Sequence, residues 1–113
     1  MHRFGHEHVE VYHIKYTPLE EAILDKYRED GTNYKVSVYA KAIVHKESEK
    51  VIGLHYAGPN AGEVMQGYAV AMKIGMTKQQ LDSTIGIHPT CAEELTNMTV
   101  TKESGLPYEK TSC

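Results

Sequence analysis

The chain of 113 residues has no tryptophan, a single phenylalanine and only two cysteines. Cys91 and Cys113 cannot build the multi-bridge scaffold of a small secreted domain, which points to a reducing compartment. Long apolar runs are also missing. The longest, YAVAM at 68–72, falls far short of the ~20 residues that span a bilayer. The amino end, MHRFGHEHVE, lacks the apolar centre of an export signal. There is no basic run either. Twelve Lys and Arg are interspersed with 15 Asp and Glu for a net charge of -3, so no electrostatic footprint for phosphate backbones or anionic lipid exists. Neither a nucleic-acid partner nor a membrane partner is expected, and a cytoplasmic location is, with a mitochondrial one as the alternative.

What is present suits one compact domain with 41% hydrophobic residues. Residues 9–17, VEVYHIKYT, alternate Val9, Val11, His13 and Lys15 against Glu10, Tyr12, Ile14 and Tyr16, which is strand chemistry. Thr17, Pro18 and Glu20 stand in the order of a helix start, predicting a short helix near 18–25. Residues 33–45 alternate again, and the charged KESEK separates them from VIGLHYAG, predicting two strands paired through a hairpin.

After residue 60 the period changes from two to about 3.6. Asn60 is positioned to cap a helix over 61–75 whose Val64, Tyr68, Ala71 and Met72 share a face, with Gly75 where a left-handed C-cap belongs. Thr77 with Gln80, and Thr90 with Glu93, form two further capping patterns, predicting helices near 78–85 and 91–97. The fold class is α+β: an antiparallel sheet covered on one face by helices, in a domain spanning 1–100. Residues 101–113, TKESGLPYEKTSC, offer little apolar area and read as an exposed, flexible tail.

Four features invite a chemical reading. GPNAGE resembles a phosphate-cradling loop but lacks the Gly-Lys-Ser/Thr ending, so a tight strand-to-helix turn explains it as well. His2, His6 and His8 stand without cysteines or a second histidine pair at zinc spacing, and no metal site is expected. Cys91, in the first turn of an expected helix, is either a dipole-stabilised thiolate or a small packed residue.

The fourth is GIHPTCAEEL. Proline excludes α conformation from the residue before it, so His88 is extended and aimed by the backbone. Glu93 either completes the capping box begun by Thr90 or, one turn into the helix, orients the imidazole and stabilises its charged form. The spacing leaves both open.

From Val51 onward, VIGLHYAGPNAGEVMQGYAVAMKIGMTKQQLDSTIGIHPTCAEEL resembles the carboxy-terminal interface domain of the pyridine nucleotide-disulfide oxidoreductases, and HPTCAEE is similar to that family's acid/base motif. With FGHEHVEVYH ahead and the cysteine-ended tail behind, the resemblance covers essentially every residue, most weakly 20–33. Glutathione reductase and dihydrolipoamide dehydrogenase carry similar motifs; the tail favours animal-type thioredoxin reductases. The resemblance implies a flavoprotein parent, homodimeric, using FAD and NADPH to reduce thioredoxin. It implies that His88 is the acid/base of thiol-disulfide exchange, that Glu93 orients it, and that the His88-Pro89 bond is cis with both residues beside the partner subunit's flavin. Cys113 matches the first member of the tail's redox pair, whose second is usually selenocysteine. The chain itself has neither a dinucleotide fingerprint nor a flavin-proximal cysteine pair, so it is expected to bind no cofactor and to be inactive alone. A free-standing dimerisation module, or the same domain of a glutathione reductase-like enzyme, is the alternative reading.

Overall fold

The structure, a computed structural model, describes residues 5–19 and 36–110. His2, Cys113 and all but residues 18 and 19 of the helix expected near 18–25 lie outside the described residues.

Strand β1 (Val9–Tyr16) pairs antiparallel with β2 (Val38–His45), which pairs antiparallel with β3 (Val51–Ala57). The charged hairpin between β2 and β3 forms as expected. A short β4 (Glu109–Lys110) completes the order β3-β2-β1-β4 and runs parallel to β1, so the sheet is mixed rather than wholly antiparallel. The period of two decides which side is inside. Val38, Ala40, Ala42 and Val44 are buried with Ile14 and Tyr16 on one face, while Tyr39, Lys41 and Ile43 point the other way.

Helix α1 (Ala61–Lys73) lays Val64, Tyr68, Ala71 and Met72 against that core. It ends as its glycine predicts: Gly75 takes φ 88°, its N–H donates to the Met72 carbonyl, and the Met76 N–H donates to that of Ala71. This is a Schellman ending, and it turns Met76 into the core. The start of α1 departs from expectation. Asn60 is itself left-handed, at φ 58°, and makes no side-chain cap; its amide instead approaches the Cys91 sulfur at 3.9 Å. GPNAGE is thus a tight turn. A Cβ on Gly58 would lie 2.7 Å from Val38 Cγ2, so only glycine lets this turn press on β2.

Helix α2 (Lys78–Ser83) starts with the complete Thr77/Gln80 capping box. The last expected helix is a 3₁₀ turn over Glu93–Asn97. Leu81, Leu95 and Met98 bring these segments into the core.

The tail reading needs correction over its described part. Thr101 bridges to Tyr12, Lys102–Ser104 form a 3₁₀ turn, and β4 adds to the sheet. Apolar area was the wrong measure, because the free edge of β1 offers backbone partners. His13 N–H donates to the Val100 carbonyl and Lys15 N–H to the Tyr108 carbonyl, both at 3.0 Å. Tyr108 also stacks on the buried His13 ring at 4.2 Å, and Lys15 pairs with Glu109 at 2.8 Å.

Candidate active site

His88 Nδ1 lies 2.9 Å from Glu93 Oε1. The His88 side chain is 62% exposed and that of Glu93 11%, so a sheltered carboxylate holds an imidazole that faces solvent. A carboxylate only accepts hydrogen bonds, so Nδ1 carries the hydrogen and Nε2 of the neutral ring keeps a lone pair. The His88-Pro89 peptide bond is cis.

The capping alternative survives in part. The Glu93 N–H donates to Thr90 Oγ1 at 3.3 Å, one half of a capping box, but the Glu93 carboxylate is committed to His88. One residue thus starts the turn with its backbone and orients the histidine with its side chain.

Four further residues hold this arrangement, and sequence spacing pointed to none of them. Tyr16 Oη donates to the carbonyl of Cys91, and Tyr68 Oη donates to that of Ala92 at 3.0 Å. Burial raises both phenol pKa values, keeping them as donors. Thr96 Oγ1 donates to the Glu93 carbonyl at 2.6 Å. Gly86 is required by close approach, because a Cβ there would lie 2.6 Å from Glu93 Cβ and 3.1 Å from its Cα. Cys91 is buried and free, which is the packed-residue reading of that thiol.

His88 and Glu93 open onto a depression of about 370 Å³, lined also by Asp82, Gly86, Glu94 and Lys110. On either side of Gly86 the side chains of Ile85 and Ile87 stand exposed, as do Val70 on α1 and Ile74 just past its end; α1 buries no residue completely. Among the described residues, no three His, Cys, Asp or Glu side chains gather as metal ligands, and no helix is long and apolar enough to cross a membrane.

The family described as pyridine nucleotide-disulphide oxidoreductase, dimerisation domain, matches residues 2–99. The chain belongs to that family. Thioredoxin reductase SEP1 of Emiliania huxleyi is 50% identical over 110 residues, which is 96% of this chain and 21% of the relative. The dimerisation domain described here therefore spans about a fifth of the curated relative it matches. The exposed Val70, Ile74, Ile85 and Ile87 are the kind of apolar surface that suits a dimerisation domain.

The family implies flavin and nucleotide cofactors in the parent protein. A dinucleotide needs a glycine-rich turn whose helix start faces the pyrophosphate. In the Gly58–Glu63 turn the carboxylate of Glu63 stands in the first turn of α1, where it would repel a pyrophosphate, so the turn does not fit. His88 and Pro89 are both exposed.

Proposed function

We propose that this chain is the carboxy-terminal interface domain of a homodimeric, NADPH-dependent, FAD-containing thioredoxin-disulfide reductase, with His88 as acid/base, Glu93 as its positioning residue and Cys113 as part of a redox tail. The observation that carries the reading is the 2.9 Å contact between His88 Nδ1 and Glu93 Oε1, with the imidazole exposed and the carboxylate sheltered.

The chemistry follows from thiolates being the reactive species. His88 Nε2 takes the proton of the attacking thiol, the thiolate forms a new sulfur–sulfur bond, and the old one breaks. The leaving thiolate then receives that proton from Nε2–H. Between the two transfers His88 is an imidazolium, and Glu93 stabilises it through Nδ1–H. Flavin and nicotinamide in the parent, when bound, supply the electron pair that returns the disulfide to dithiol. Pro89 and His88 lie at the surface where they could border that flavin across the dimer, and thioredoxin is the protein disulfide that the tail would reduce. The name of the 50% identical relative supports this substrate.

The test is His88→Gln in the full-length parent, measured as NADPH-dependent thioredoxin reduction. Turnover should fall about 10² to 10⁴-fold with the thermal melt unchanged. Turnover within a few-fold of the unaltered protein overturns the assignment.

A further inference from the structure

The carboxylate of Glu94 is 3% exposed, and Lys110 Nζ reaches both of its oxygens, at 2.7 and 2.9 Å. The pair joins two segments 16 residues apart, the turn that carries Glu93 and the strand β4 from which the tail continues. Both residues line the depression onto which His88 opens. A carboxylate removed from water is costly unless a cation and hydrogen bonds replace the water, so this turn holds a buried anion that its own segment does not neutralise. The neutralising charge arrives on β4.

Position along the chain gives the pair its significance. Only Thr111 and Ser112 lie between Lys110 and Cys113, three peptide links whose full reach is about 11 Å. Without the latch, β4 is two residues paired parallel to β1, a short addition to a sheet edge. Its other fastenings, the Lys15–Glu109 pair, the Tyr108 ring on His13 and the Lys15 N–H bond to the Tyr108 carbonyl, all go to β1. Lys110 is the charge that ties the strand toward the turn of Glu93.

We propose that Glu94 and Lys110 form a latch that fixes the base of the carboxy-terminal tail beside His88 and Glu93, making both of them positioning residues for Cys113. The role given to Cys113 rests on the function proposed above; the latch itself does not. Glu94 supplies a fixed, dehydrated anion and Lys110 a flexible cation, 41% exposed, that can leave it for water.

A nitroxide attached to Cys113 in the full chain tests this, with the imidazole resonances of His88 as the receiver; Cys91 is buried and escapes labelling. The label should broaden the His88 signals strongly in the unaltered chain. It should do so in Lys110→Arg, which keeps the charge, and much less in Lys110→Gln and Lys110→Glu. A diamagnetic label on each variant, together with its melt, separates loss of positioning from loss of fold. Glu94→Gln with Lys110→Gln checks the cause: if the latch is ionic, the double variant should recover melting temperature over Lys110→Gln alone while His88 stays unbroadened. Equal broadening in Lys110→Gln, or none in the unaltered chain, overturns the latch. Because these readouts need no turnover, they are independent of whether His88→Gln abolishes thioredoxin reduction.

Discussion

Tyr16, at the end of β1, donates its phenolic hydrogen to the carbonyl of Cys91, the third residue after His88. The loop that aims the histidine is therefore pinned to the central sheet, not merely capped by its own residues. Tyr16→Phe should leave that buried carbonyl without its donor and lower stability by about 1 to 3 kcal/mol. Chemical denaturation checks it. A loss below about 0.5 kcal/mol would mean that water or a neighbour replaces the phenol.

Glu93 makes two bonds, from its backbone to Thr90 and through its side chain to His88, and substitutions can separate them. Glu93→Gln keeps the backbone bond to Thr90 and a side chain of the same length, but removes the charge that supports a His88 imidazolium. In the full-length parent it should reduce turnover, by less than His88→Gln, with little change in melting. If the carboxylate serves only the turn, Glu93→Ala should cost about 1 kcal/mol and leave turnover nearly intact. Steady-state rates and melts on the same variants distinguish these.

Gly86→Ala should be disproportionately damaging for a single methyl group. The added carbon would meet Glu93 Cβ and Cα, and backbone atoms cannot swing aside as a side-chain tip can. We expect a loss of about 1 to 3 kcal/mol. A chemical-shift change at His88 should accompany it, because Glu93 must move. An unshifted His88 resonance would show that the strain is absorbed elsewhere.

His13 gives a pH dependence of stability. Burial, reinforced by the nearby Lys102, lowers its pKa below the ordinary 6.5. The unfolded chain thus binds the proton more readily than the folded one. The His13 contribution is complete above pH 6.5 and is lost as pH falls through the lower folded value. His13→Phe, which keeps an aromatic ring against Tyr108, should flatten the fall in urea midpoint between about pH 7 and about pH 5. His55, lowered by burial and then by Lys41, retains a residual slope. An unchanged slope in the variant would assign the effect to other groups.

Local signals carried much of this domain. Alternation of Val36, Val38 and Ala40 against Lys35, Ser37 and Tyr39 marks a half-buried strand wherever it is placed, and the Thr77/Gln80 box and Gly75 mark helix ends through bonds spanning only a few residues. The motif around His88 was legible for the same reason, since proline acts on its immediate neighbour. Where local signals competed, they misled. Asn60 is a good N-cap residue, yet its amide turns to Cys91, 31 residues away.

What tertiary structure alone decided are the relationships between distant segments. The direction of the Glu93 carboxylate follows from the close approach of Gly86 within the loop and from Tyr16 and Tyr68, which hold the loop from two other places in the chain. Residues 101–110 have too little apolar surface to announce an ordered strand, and they are held by backbone bonds to an open sheet edge and by a buried carboxylate on another turn. Periodicity, caps and prolines are properties of neighbouring residues and can be read from the sequence. A free strand edge and an unneutralised buried charge exist only once the chain has folded, and they decide where its last described residues go.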